Sequence, residues 1–335
     1  MAVAFQAVMV TANVWPAARI EPRYVPLVVA GPDPAAESVA RRVEAQSPGA
    51  FVVKRVPDEQ AARQALSDRD AYGAVVVAPT GPHVLLASGA SPVIAQLLRQ
   101  MAQQLSKQPV AAPEDVAPAA RHDPRGAGGS VLVLALILSG IAGAILLGFH
   151  VKSALWRTVG LLVFAAGAGV TSAAIMQSAL SVLPGSFLAL AGTIALVTLT
   201  VSASVSGLGA AIPRAGFGLG AAVMMLLANP WSGATSAAEM LPRPWGTIGQ
   251  DMPAGAAVTL LRSVAFFDGA GAGRPLAVLL IWTSYGLIML AAGTRRHQRP
   301  SAPVPAKTAS EHGGHGAYGR EAPSVFVVTP SAPQR

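Results

Sequence analysis

Residues 158–213 read TVGLLVFAAGAGVTSAAIMQSALSVLPGSFLALAGTIALVTLTVSASVSGLGAAIP. These 56 residues, bounded by Arg157 and Arg214, contain no Asp, Glu, Lys, Arg or His. One bilayer crossing takes about 20 apolar residues at ~1.5 Å rise each, so the run has room for two helices and a turn. Pro184-Gly185 marks that turn near its middle. A soluble core helix is seldom apolar on every face for so long. The chain reads as an α-helical integral membrane protein.

Composition agrees. Of 335 residues, 52% are hydrophobic and 12% charged, with mean hydropathy +0.50. Soluble domains carry about 25% charged residues. The chain has no cysteine, which excludes disulfides and cysteine-based metal or nucleophile chemistry. The formal charge of +8 raises nucleic-acid binding as a possibility. No basic stripe interleaves with aromatics, and Lys and Arg at cytoplasmic helix ends account for the charge, so no nucleic-acid partner is expected. Membrane lipid is.

Upstream of the apolar run, residues 2–15 (AVAFQAVMVTANVW) are apolar and end at Pro16 and Arg19. They reach about 21 Å as a helix, short of a ~30 Å hydrocarbon core. No basic n-region marks a signal peptide. Residues 1–20 therefore read as the outer part of a partial first crossing, either because the true start lies upstream or because the helix is unusually short. Over 21–127 the apolar runs shorten and charges return. Strands are expected at Val25–Ala30, Ala50–Val56 and Ala74–Ala78, with a hairpin partner at His83–Ala87. Helices are expected at Ala35–Gln46, at Asp58–Ser67 capped by Asp58, and from Ser91-Pro92 to Leu105. Such alternation predicts a small α/β domain. Residues 108–127, rich in Pro, Ala and Gly, read as a linker.

Further crossings are expected at Gly128–Phe149, 158–180, 186–209 and Leu276–Gly293, and Ala215 to Ala228 is expected to begin another. Five clear helices and the partial first give six. Lys152, Arg157, Arg214 and the group Arg295, Arg296, His297 and Arg299 fall on one side of this set. The positive-inside rule makes that side cytoplasmic, with both termini, and makes 21–127 extracytoplasmic. The tail from Thr294 is Pro-, Ala- and Gly-rich and reads as disordered. His312 and His315 have metal-compatible spacing but no further ligands, so no metal site is assigned.

Residues 229–274 are too polar and Pro-broken for a straight span, yet too apolar for an exposed loop. Non-helical backbone at membrane depth persists only when covered by protein or lining a wet cavity. One reading is a loop packed over the bundle, with Trp231 and Trp245 as interface anchors. The other is a re-entrant outer gate or substrate path. Its candidates are Asn229, Pro230 and Gly233, then Glu239 and Pro242, then Gly249, Gln250, Pro253 and Arg262. Glu239 and Arg262 either pair there or each cap a helix.

The order Asn229-Pro230-x-Ser232-Gly233, Glu239-x-Leu241-Pro242, Gly249-Gln250-x-x-Pro253-x-Gly255-Ala256 and Arg262-Ser263 resembles the last external segment of type-2 ABC exporter permeases. More narrowly, it is similar to the phage-infection-protein-like branch of bacteria. Tyr72-Gly73-Ala74-Val75-Val76-Val77, Leu86-Ala87-Ser88-Gly89-Ala90 and Asp123-Pro124-Arg125-Gly126 resemble that branch's insertion after its first helix. The resemblance spans most of residues 20–293 and departs at the short first helix. It implies a bacterial cell-membrane permease half, paired as a homodimer or heterodimer and driven by a separate ABC ATPase subunit. No Gly-x-x-x-x-Gly-Lys-Ser/Thr occurs in this chain, and Gly269–Gly273 lacks the lysine. No cofactor is expected, and no enzyme: His83 and His122 have no nucleophile or metal set around them.

Two alternatives compete. An ion-coupled carrier would place Asp, Glu or His within its spans, and the best spans here carry no acidic residue. A receptor would act through the external domain, as phage-adsorption factors do, but needs fewer helices as an anchor. Gly140 and Gly143, Gly167 and Gly169, and Gly216 and Gly220 are expected to pack helices within one bundle rather than between subunits. Ser202, Ser204 and Ser206 do not share one helix face, so they are expected to bond their own backbone.

Overall fold

The computed structural model describes residues 2–79, 81–105, 112–212, 215–228 and 230–297. They belong to one compact unit spanning 1–298. Arg214, Asn229 and the tail with His312 and His315 lie outside the described residues.

The chain starts with α1 (Ala2–Ala17) and then builds the α/β domain from β1 (Val25–Ala30), α2 (Asp33–Gln46), β2 (Phe51–Val56), α3 (Glu59–Ser67), β3 (Gly73–Ala78), β4 (Gly81–Leu86), α4 (Pro92–Leu105) and β5 (Glu114–Asp115). Asp58 caps α3 as expected, its Oδ1 accepting from the Ala61 amide at 2.8 Å. The five strands form a mixed sheet in the order β2-β1-β3-β4-β5. β1 runs parallel to β2 and β3, β3 and β4 form the antiparallel hairpin, and β4 pairs parallel with β5.

Successive side chains of a strand point to opposite faces, and the sheet buries both. Val25, Leu27 and Val29 face α2 and α4 with Ile94 and Leu98, whereas Val28 and Ala30 face α3 with Leu66. β5 lies inside the stretch that reads as a linker. Its two residues pair with Leu85 and Leu86, and the Ala119 amide beyond them donates to Ser88 Oγ at 2.8 Å. A pairing partner, rather than local pattern, makes so short a segment a strand.

The apolar half comprises α5 (Ala127–His150), α6 (Ala154–Ala174, continued by a π-helical turn Ile175–Ala179), α7 (Phe187–Ala211), α8 (Gly216–Ala222, continued by a π-helical turn Val223–Ala228), a 3-10 turn (Ala238–Met240), α9 (Trp245–Gln250), α10 (Pro253–Phe266) and α11 (Gly273–His297). Four of these helices are long and apolar enough to cross a membrane: Ala127–His150, Ala154–Ala179, Phe187–Ala211 and Gly273–Arg295. They support a multi-pass membrane protein. Among the described residues four long helices stand against the five clear crossings expected, and α1 is a short helix where the partial crossing was expected. The segment at 216–228 covers about 20 Å and α1 about 24 Å at ~1.5 Å per residue, both short of a ~30 Å core.

α7 is the hub. It is 67% buried over its most apolar window, against 28% for α6 and α11, and it touches α5, α6, α8, α10 and α11. Its sequence is apolar all round because every face meets another helix. On α6 and α11 large apolar side chains such as Val163 and Ile281 point outward, as lipid-facing residues do. Small residues set the crossings. A Cβ at Gly207 would run into the Gly286 carbonyl, one at Gly286 would lie 2.5 Å from the Ala203 carbonyl carbon, and one at Gly140 would lie 2.9 Å from Val201. Gly143, Gly169, Gly216 and Gly220 are likewise closely packed within this chain, while Gly167 faces open space.

The serines of α7 depart from expectation. Ser202 bonds its own helix through the Leu199 carbonyl, but Ser204 Oγ reaches the Trp282 carbonyl of α11 at 3.4 Å. Ser206 Oγ is buried with no partner among the described residues. Thr200 and Thr283 hydroxyls meet at 2.8 Å across the same seam. At one end of the bundle Arg157, 8% exposed, donates to the Gly148 and Val151 carbonyls at 3.0 and 2.8 Å, placing positive charge on the C-terminus of α5. α6 thus begins before Arg157, not after it.

Replacing Gly286 with Leu is expected to cost about 3 kcal/mol or more, because the clash is with backbone. Gly192→Ala, which meets nothing within 4 Å, should be neutral or stabilising by up to ~1 kcal/mol. Thermal unfolding of the two variants in detergent checks this. Equal midpoints would refute the close α7–α11 packing.

Candidate functional site

Residues 230–272 are built into the α/β domain rather than hung beside it. Ala237 and Met240 enter the core on the α2 and α4 face of the sheet, and Phe267 enters the core on the α3 face. Residues 21–24 run along the 3-10 turn: the Glu21 amide donates to the Met240 carbonyl at 3.1 Å and the Arg23 amide to the Glu239 carbonyl at 3.0 Å. Ser91 Oγ donates to the Ser236 carbonyl at 3.0 Å, and Ser130 Oγ of α5 to the Ala234 carbonyl at 2.6 Å.

α10 supplies one wall of a polar cavity beneath the domain. Thr259, Arg262 and Ser263 stand three and four residues apart, so they share a helix face. Across from them stand Arg69 and Tyr72, from the loop between α3 and β3. The cavity has a volume of about 370 Å³, and its wall also includes Ser232, Gly233, Glu239, Gln250 and Arg274. A second recess of about 200 Å³ shares Glu239, Gln250 and Arg274 and adds Arg23 and Arg243.

Arg69 sits at φ 64°, a left-handed conformation uncommon for a side-chain-bearing residue, just past the end of α3. From there its Nη1 donates to the Thr259 carbonyl at 3.0 Å and to Ser263 Oγ, and its guanidinium lies 5.2 Å from the Phe267 ring centroid. Arg262 donates to the carbonyls of Ala234 at 2.8 Å and Ser236 at 3.3 Å. Tyr72 Oη donates to Glu239 Oε2 at 2.8 Å. Gln250 Nε2 donates to the Ser232 carbonyl at 3.2 Å while its Oε1 accepts from Thr259 Oγ1 at 2.6 Å.

Glu239 and Arg262 face the same cavity but do not pair. Among the described residues Arg69, Arg262 and Glu239 enter no ion pair, whereas Arg274 meets Asp251 at 2.8 Å. Burial pushes the Arg69 pKa down, opposed by Tyr72 and Glu239. Burial, then the charge and hydrogen bond of Glu239, hold the Tyr72 phenol well above its ordinary value.

Four of the nine expected site residues therefore converge on the cavity: Gly233, Glu239, Gln250 and Arg262. Gly249 stands behind it, where any Cβ would strike the Trp231 carbonyl, and Pro253 opens α10 at a buried first-turn position. Pro230 and Pro242 do not line it. Asn229 lies outside the described residues. Trp231 and Trp245 pack with their rings tilted by 35° and centroids 4.4 Å apart, and they line a separate apolar cleft against α1, with Trp15. Arg69, Thr259 and Arg274 are absent from the sequence-derived set. No local signal marks them, because the cavity arises only when the sheet brings the α3–β3 loop over α10. The chain matches no family model, no curated protein and no solved structure.

Tyr72→Phe removes the partner of a half-buried carboxylate and is expected to cost about 1.5–3 kcal/mol at pH 7, read as a lowered unfolding midpoint. Because the folded state holds the phenolic proton more tightly, Tyr72 contributes fully below the ordinary value near 10, and its contribution fades as pH rises beyond it. Absorbance titration of phenolate should therefore show a step that appears only with unfolding, and Y72F should lack that step. A Tyr72 that titrates near pH 10 in the folded protein would contradict the arrangement.

Proposed function

We propose that this chain is the membrane permease subunit of an ABC-type exporter, energised by a separate ATPase chain. The observation that carries the reading is the cavity: an α/β domain inserted between α1 and α5 closes over the short helices α9 and α10, of which α10 packs on the bundle hub α7. That layout suits a gated path, with short non-spanning helices whose polar backbone is covered by protein. The motif order from Ser232 to Ser263 and the insertion after α1 support the same family. So does the lack of any acidic residue in the four long helices, which leaves ion coupling without a relay.

The chemistry of the two bundle ends supports an orientation. Lys152, Arg157 and Arg295 stand at the end away from the α/β domain, which the positive-inside rule reads as cytoplasmic. The α/β domain and the 230–272 segment are then extracytoplasmic, in a bacterial cell membrane. A receptor held by a simple anchor would have little use for a domain whose two cores are completed by Met240 and Phe267 from the membrane half.

Purification of the full chain from its native membrane in mild detergent should bring an ATP-binding-cassette ATPase with it, and its deletion should impair export. Recovery of no ATPase, together with unchanged export, would transfer the case to the receptor reading. In intact cells, protease added outside should cut within 21–127 and spare the loop at Lys152. Cleavage of 21–127 only from the cytoplasmic side would reverse the proposed orientation.

A further inference from the structure

We propose that the cavity between the α/β domain and α10 binds an organic oxyanion, its phosphate or carboxylate group held between the guanidiniums of Arg69 and Arg262. The inference concerns the chain alone and holds whether or not an ATPase drives it.

Donor arithmetic comes first. A guanidinium has five N–H donors. Among the described residues Arg69 bonds the protein only through Nη1, and Arg262 spends one bond from each of Nη1 and Nη2, every acceptor being neutral. The polar groups around them are already committed. Glu239 Oε2 takes the Tyr72 hydroxyl, Thr259 donates to Gln250, and Gln250 spans to the Ser232 carbonyl. What is left over is mainly guanidinium donors, set against the one remaining oxygen of Glu239.

Charge points the same way. Arg274 is matched by Asp251, so the inner wall sets Arg69 and Arg262 against the single carboxylate of Glu239. Two half-buried guanidiniums face one partly open cavity with a single carboxylate between them, and a bidentate oxyanion is the partner whose geometry fits their planar forks. Size leaves room for more than a bare ion. At about 370 Å³ the cavity falls within the range of ~300–1,000 Å³ typical of small-molecule sites, and the adjoining recess extends it past Arg23 and Arg243. The anionic group belongs at the α10 wall, with the rest of the molecule reaching towards that recess.

Isothermal titration calorimetry on the full chain in detergent, in phosphate-free buffer of low ionic strength, tests this with two probes: inorganic phosphate and dioctanoyl phosphatidic acid. At least one should bind saturably. Binding of phosphate itself identifies a free small anion as sufficient, and binding of the lipid alone identifies a headgroup. Arg69→Gln and Arg262→Gln should each weaken the bound probe by about tenfold or more. Glu239→Gln should tighten it severalfold, an effect opposite in sign to damaged folding. Arg63→Gln, which touches only the Glu59 and Glu114 cluster on the domain surface, should leave affinity unchanged. Absence of saturable binding by either probe would overturn the proposal. So would wild-type affinity in both arginine variants, or weaker binding in Glu239→Gln.

Discussion

Arg69 holds the two halves of the molecule in one frame. Its side chain leaves the α/β domain at the end of α3, crosses the cavity, and bonds the backbone and Ser263 hydroxyl of α10 while its guanidinium lies against Phe267. A partly buried cation is tolerated where acceptors meet it. Here the acceptors come from a helix that also packs on α7, so Arg69 joins the Ser91–Ser236 and Tyr72–Glu239 bonds in tying the domain to the bundle. The left-handed backbone at Arg69 is the local cost of aiming it there.

The bundle explains why such a link is needed. α7 has no ionisable residue, and the seam it shares with α11 is held by glycines in close contact and by hydroxyls bonding across it. Packing of this kind is rigid, and it leaves the polar work to the end of the bundle where α10 and the α/β domain meet. There the chain changes strategy, from small residues and van der Waals contact to arginines, amides and covered backbone carbonyls.

Much of this frame was legible in the sequence. Long charge-free runs define α5, α6, α7 and α11, since nothing but a bilayer or a full helical jacket tolerates them. Alternating strands and helices with an Asp58 cap define the α/β domain. What failed is instructive. The helix at 216–228 reads as a span by apolarity alone, yet it breaks into a π-helical turn and is too short. β5 has no pattern of its own and exists through Leu85 and Leu86. The segment 230–274 was recognisable as chain that something must cover, because it is apolar but Pro-broken. Its partners were not, because Arg69 and Tyr72 lie far away in sequence and reach the site only through the β1–β3 pairing that positions their loop.

On the proposed reading, the same cavity also accounts for how selectivity and energy can be separated. A span that carried both would need an acidic relay within the hydrocarbon, where an ionised carboxylate is expensive. This chain keeps its four long helices free of such groups and gathers its arginines where a polar cavity already exists. Glu239 then has a distinct consequence. As the one carboxylate among the arginines of the inner wall, tied to Tyr72, it limits the positive field that an arriving anion feels. A site built only for affinity would omit it. Its presence, with Tyr72 fixing its position, is what a path needs if an anion is to be admitted and also let go.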